Sequence, residues 1–154
     1  MKVRTILSAP RMEKQMADKF QLQVITPERV VFKGEVNEVY APGFLGEFGV
    51  RPGHKPYLVL LKIGPLKIRK DNQWILAALN SGFAEVDYDS MRILAETCEM
   101  CDEIDKERAQ RAKARAEENL KKLDPIKDEQ EFQASRAALA RALNRLEVAG
   151  KKGV

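Results

Sequence analysis

Seven of the chain's nine glycines lie between Gly34 and Gly82, the other two are Gly150 and Gly153, and none falls between Gly82 and Gly150. Nine of the ten aromatic residues precede residue 100, with Phe132 alone beyond it. Glycine serves tight turns, aromatic residues favour pleated surfaces, and a long glycine-free stretch favours helix. One periodicity cannot serve both halves. A boundary is expected near residue 100.

The first half reads as β. Phe20-Gln-Leu-Gln-Val-Ile25 alternates apolar and polar residues, and Thr26-Pro27-Glu28 turns the chain. Further strand-like runs fall at 30–32 and 36–40, separated by Lys33-Gly34, then at 57–63, 66–68, 74–78, 83–86 and 91–94. Gly64-Pro65, Asp71-Asn72 and Asp87-Tyr88-Asp89-Ser90 supply turn chemistry between them. Short strands at this spacing indicate a sandwich or barrel.

The second half reads as two helices. Residues 104–123 are strong helix formers, and Asp124-Pro125 breaks the run because proline disfavours helical geometry in the residue before it. A second run spans 129–149 and stops at Gly150. A connector this short makes an antiparallel pair the default. Ala109, Ala112, Ala116, Leu120 and Leu123 share one face of the first helix; Phe132, Ser135, Leu139, Ala142, Leu146 and Ala149 share one face of the second. Each methylene missing from that alanine-rich seam forgoes about 0.8 kcal/mol of burial. The hairpin is expected to be marginal and able to open; the competing expectation is a pair docked permanently on the β domain. The fold class expected is α+β, an N-terminal antiparallel β-sandwich followed by a C-terminal antiparallel two-helix hairpin. The boundaries are 17–101 for the sandwich and 102–150 for the hairpin, with a disordered extension at 1–16 and a tail at 151–154.

Charge and chemistry narrow the function. Residues 103–154 carry 13 Lys/Arg against 10 Asp/Glu, and residues 1–102 carry 14 against 13, which together give the net +4. Both signs interleave along the tail, as on a solvated helix. A basic nucleic-acid-binding module is the alternative reading, but that tail nearly lacks the aromatic residues such modules stack on bases. No apolar run reaches the roughly 18 residues a membrane span needs, so direct membrane insertion is not expected. Cys98 and Cys101 form a lone CxxC without the second pair a structural zinc site requires, and are expected to be free thiols; no metal site is expected. With one histidine, no GxxxxGK[ST] loop and no GxSxG elbow, no catalytic residues are expected. The opening MKVRTILSAPRMEKQ lacks the apolar core of a secretory signal and reads as a misassigned start or an extension, an organellar presequence being the lesser alternative.

The most distinctive stretch is Ala41-PGFLGEFGVRPGHKP-Tyr57, expected to be a folded surface loop. Within it His54 reads as a pH-responsive contact, a catalytic base or a structural residue. The segment resembles the PG-x-x-GE-(L/F)-G-(I/V)-x-PGH-x-P pattern of the epsilon subunit of bacterial F-type ATP synthases. In the same order, residues 20–31 are similar to that family's first strand and TPE turn. Leu61-Lys-Ile-Gly-Pro-Leu66 resembles its LKPG-type turn, departing from it at Ile63. Ser81-Gly-Phe-Ala-Glu-Val86 resembles its GGFAEV, with Ser81 for the first glycine, and Ile104-Asp-Lys-Glu-Arg-Ala109 resembles its (I/L)D-x-x-RA helix start. Together these features extend from about Phe20 to Lys152.

The resemblance implies a non-catalytic rotor subunit of a proton- or sodium-driven ATP synthase, peripheral on the cytoplasmic face of the bacterial inner membrane. Its sandwich is then expected to bind the gamma subunit and the c-subunit ring, with Phe44, Leu45 and Glu47 in the ring-contacting loop and His54 at a gamma contact. Its helices, extended, reach the catalytic alpha/beta head and impede ATP hydrolysis. No cofactor is required. ATP enters as a regulatory ligand: Asp105 and Arg108 lie three apart, and Arg141 and Arg145 lie four apart on the second helix. Arginine forks suit a phosphate chain. These residues match the ATP-binding set of some bacterial epsilon subunits, with Glu99 at a further matching position. The competing reading leaves the arginines as solvated surface charges.

Overall fold

The computed structural model describes residues 18–151. The extension expected at 1–16 and most of the tail expected at 151–154 lie outside the described residues. Eight strands precede two helices: β1 (Phe20–Ile25), β2 (Val30–Val36), β3 (Glu38–Gly43), β4 (Gly46–Val50), β5 (Tyr57–Leu61), β6 (Gly64–Lys70), β7 (Gln73–Val86), β8 (Ser90–Met100), α1 (Lys106–Lys122) and α2 (Glu129–Gly150). A single 3-10 turn, Cys101–Glu103, joins the two parts.

The strands run in the order β2-β1-β8-β7-β5-β3-β4, with β6 bridging β3 and β7. The sandwich and hairpin are as expected, with one refinement: β1 lies parallel to β8, while the other described pairings are antiparallel. Strand alternation builds the core. Leu22 and Val24 of β1, Leu66 and Ile68 of β6, Leu79 of β7, and Met91 and Ile93 of β8 are fully buried. Each contributes about 1.5–3 kcal/mol by leaving water.

Four sequence expectations are corrected by backbone geometry: Lys33-Gly34, read as separating two runs, lies inside β2, and Gly64-Pro65, read as a turn, opens β6. The runs 74–78 and 83–86, read as separate strands, are one 14-residue strand, β7. Its first half pairs with β6 and its second with β5, so one strand serves both layers. Asn80-Ser81-Gly82, between those two runs, bends the strand without ending it: Ser81 takes φ 31 and Gly82 takes φ 142. The stretch 41–57, read as a surface loop, instead contains the β3–β4 hairpin, with Pro42 inside β3. Gly43 suits that hairpin because a Cβ there would lie 2.6 Å from the Gly46 carbonyl oxygen.

The helices form where expected. Asp105 caps α1, its Oδ1 accepting from the Arg108 N–H at 3.0 Å, and Lys121 and Lys122 occupy the last turn, where cations complement the helix dipole. At the tip, Asp124 Oδ1 accepts from the backbone N–H groups of Ile126 and Lys127. The seam is largely alanine: Ala109, Ala116, Ala142 and Ala149 are buried, while Leu120, Leu139 and Leu146 are half-buried. α1 packs on α2, and α2 meets the sandwich at β7, β6 and the 3-10 turn. The apolar part of that meeting is small, formed by Ala78, Ile104, Val148 and Ala149.

Candidate functional site

The hairpin–sandwich junction holds three of the five residues expected to bind ATP. Arg145 donates from Nε to Glu99 Oε1 at 2.9 Å, and its terminal nitrogen lies 2.8 Å from the same oxygen. Both side chains are about one-third exposed. Arg141, one turn earlier, lines the same narrow cleft with Asn80, Thr97 and Asn144. Asp105 and Arg108 sit at the start of α1; Asp105 is occupied as its cap, and the exposed Arg108 side chain has no hydrogen-bond or ion-pair partner among the described residues. The structure thus gathers Glu99, Arg141 and Arg145. No described bond joins Asp105 or Arg108 to them.

Asn144 was not singled out from the sequence. Its Nδ2 donates to the carbonyl oxygens of Gly64 at 3.0 Å and Leu79 at 3.2 Å, while its Oδ1 is buried without a partner among the described residues. The signal was present: Ala137, Arg141, Asn144 and Val148 form a second stripe at 4-3-4 spacing beside the helix–helix seam, and the structure turns Arg141, Asn144 and Val148 to the sandwich.

The β3–β4 turn projects Phe44 and Leu45 into solvent, Leu45 at 96% exposure. The turn is anchored rather than loose, because the Phe44 N–H donates to the Leu60 carbonyl at 2.8 Å. Glu47 is held by Lys67 at 2.9 Å. His54 lies in the following loop, half-buried, with Nδ1 2.6 Å from the Lys55 carbonyl and its ring 6.3 Å from that of Tyr57.

Beneath that loop sits a buried carboxylate. Glu38 Oε1 accepts from the Tyr40 hydroxyl at 2.6 Å and from Arg51 Nε at 2.9 Å, and Oε2 accepts from Arg69 Nε at 3.0 Å. The hydrogen bond from Tyr40 does most to hold the Glu38 carboxyl below its ordinary range, the two arginines add to this, and burial opposes it. A carboxyl depressed in the folded state stabilises the fold above its unfolded pKa. That contribution is lost as pH falls from the ordinary carboxylate range through the lower folded value. Glu38→Gln should therefore flatten the acid side of the stability profile between about pH 3 and 5, read as urea midpoints at each pH. An unchanged slope would show that the arginine cluster does not report on Glu38.

A second surface was also missed. Tyr57–Leu61 reads YLVLL, apolar on both faces, and a strand in a two-layer fold covers only one. Leu58 and Leu60 are accordingly 71% and 63% exposed. Leu60 lies opposite Phe83, Phe83 opposite Leu94, and Leu94 opposite Ile25, an apolar row crossing β5, β7, β8 and β1. Exposed apolar rows of this kind mark docking faces.

Several charges of α1 pair along the helix itself, Arg111 with Glu107, Lys113 with Glu117 and Lys122 with Glu118. Cys98 and Cys101 are free thiols; burial pushes the Cys98 thiol up to about 12. Among the described residues no helix is long and apolar enough to cross a membrane.

Comparison with known proteins matches both parts of the chain. Residues 19–100 match the model of the ATP synthase delta/epsilon chain beta-sandwich domain, and residues 102–150 match that of its long alpha-helix domain. The ATP synthase epsilon chain of Geotalea daltonii is 51% identical over 138 residues, 90% of this chain and 99% of the relative. That of Geobacter sulfurreducens is 48% identical over 136 residues, covering 88% and 97%. In fold, a chain of the Euglena gracilis mitochondrial ATP synthase superposes with a TM-score of 0.75 at 20% identity, covering 90% of this chain and 86% of that one. A chain from the Tetrahymena thermophila mitochondrial ATP synthase gives 0.58 at 15% identity, covering 83% and 96%. With both domains matched in order and half the residues identical to bacterial relatives over nearly their full length, the chain belongs to the ATP synthase epsilon-chain family.

Proposed function

We propose that this non-catalytic central-stalk subunit couples the catalytic head to the c ring and restrains ATP hydrolysis through its C-terminal hairpin. The observation that carries the regulatory part is the hairpin's attachment: among the described residues the last turns of α2 engage the sandwich, through the small patch of Ala78, Ile104, Val148 and Ala149, the Asn144 hydrogen bonds and the Arg145–Glu99 pair. A contact of that size holds a hairpin in place and still lets it leave. Released, the helices extend along gamma toward the alpha/beta head. The exposed Leu60–Phe83–Leu94 row is the face offered to gamma, His54 is a further gamma contact, and the Phe44-Leu45 turn with Glu47 is offered to the polar loops of the c ring. The subunit then works peripherally, at the cytoplasmic face of the inner membrane.

ATP is the ligand proposed for the junction. Its phosphates would take Arg145 from Glu99 and engage Arg141, while Arg108 closes from α1. Because only the docked hairpin presents these groups together, bound ATP would stabilise docking by RT ln(1 + [L]/Kd). Calorimetric titration of ATP into the full-length chain tests this. Binding in the micromolar-to-millimolar range is expected, weakened about tenfold or more in Arg145→Ala, as loss of a charge-assisted fork implies. No heat up to several millimolar ATP, on the order of the weakest affinities that matter here, would sink the nucleotide reading and leave coupling untouched.

A further inference from the structure

We infer that Asn144 is the docking residue of the hairpin, the side chain whose bonds specify where α2 seats. Four interactions hold α2 to the sandwich, and three are poorly suited to that role. The Arg145–Glu99 pair is about one-third exposed and so is screened by salt. The apolar patch of Ala78, Ile104, Val148 and Ala149 is small and has no directionality. The Cys101 thiol reaches the Val148 carbonyl at 3.2 Å, but a thiol is a weak donor. Asn144 is buried and directional. Both protons of its amide are committed, one to Gly64 and one to Leu79, which face each other across the β6–β7 ladder. A helix shifted by one turn or rotated by one residue could not make that double bond.

The other half of the same side chain explains why the contact is reversible. Asn144 Oδ1 is buried with no partner among the described residues. Undocking returns that oxygen to water and frees the two carbonyls to bind water as well, which offsets much of what the two hydrogen bonds contribute. One carboxamide therefore specifies the docked position while keeping release inexpensive. This inference rests on the reading that the hairpin leaves the sandwich to act, and the test separates the two.

Hydrogen–deuterium exchange on the full-length chain reads local opening of residues 141–150 against β8. Asn144→Ala should speed exchange in those last turns of α2 about tenfold or more, while β8 exchange and the urea midpoint of the sandwich stay as in the parent chain. Asn144→Asp, which removes both donors and faces a carboxylate toward two carbonyls, should open α2 at least as much. Unchanged α2 exchange in both variants, or greater opening in Glu99→Gln than in Asn144→Ala, overturns the assignment. A second readout is ATP hydrolysis by the assembled enzyme carrying each variant. Faster α2 exchange with stronger inhibition of hydrolysis supports both the docking residue and the mobile hairpin. Faster exchange with unchanged hydrolysis supports the docking residue and overturns the regulatory reading.

Discussion

Gly82→Ala is expected to destabilise the sandwich by about 4 kcal/mol or more, enough to leave much of the chain unfolded at room temperature. A Cβ at Gly82 would lie 2.0 Å from the Leu94 carbonyl oxygen and 2.8 Å from the Ala95 Cα. Both atoms are backbone of β8, a strand paired on one side with β7 and on the other with β1, so neither can yield without disturbing two ladders. The residue also holds φ 142, a conformation side chains rarely adopt. Strain and clash therefore add at the bend that lets β7 serve both layers. Urea unfolding followed by the fluorescence of Trp74, the chain's one tryptophan, measures the loss. Gly150→Ala is the control, since nothing lies within 4 Å of a Cβ there and the helix end should tolerate it. A loss under about 1 kcal/mol at Gly82 would mean that β7 and β8 can separate locally, and the account of the bend would fail.

The second large effect is on binding, without a matching effect on folding. Leu60→Lys combined with Phe83→Glu should weaken capture of the gamma subunit about a hundredfold or more, because each places a charge at the centre of an apolar docking row. The two positions face each other across β5 and β7, so the opposite charges attract in the free chain. At 63% and 44% exposure the parent side chains add little to the core, and the urea midpoint should scarcely move. Retained gamma affinity would show that the docking face lies elsewhere. Unfolding of the variant would show that the row is structural, and Leu58→Lys alone, at 71% exposure, would then carry the binding test.

The architecture was legible because its signals are local. Alternation in Phe20–Ile25, the turn residues at Asp71-Asn72 and the Asp124-Pro125 break each act over a few neighbours, and each element formed where its pattern lay. The helix–helix seam was legible for the same reason, since 3-4 spacing needs only the helix itself. Patterns misled where a local preference was overruled from outside. Asn80-Ser81-Gly82 and the glycines of 41–57 are turn chemistry by composition, but neighbouring strands supply hydrogen-bond partners that carry β7 through its bend and build β3 and β4 on either side of a two-residue turn.

The candidate site divides along the same line. Arg141 and Arg145 share a cleft because they lie four apart on one helix, which spacing alone establishes. That Glu99 reaches Arg145 and that Asn144 grips Gly64 and Leu79 both depend on where α2 crosses the β6–β7 ladder, whereas the Asp105 cap is a local bond to Arg108 three residues on. Likewise the run YLVLL announced apolar residues on both faces of β5, but only the packed layers decided that Leu58 and Leu60 remain uncovered. By itself the sequence determined element type, order, seam and family resemblance, because these follow from short-range periodicity and motif. The tertiary structure alone decided which polar groups meet and which apolar groups stay exposed. Those outcomes depend on contacts between residues such as Asn144 and Gly64, 80 positions apart in the chain, whose pairing no local pattern encodes.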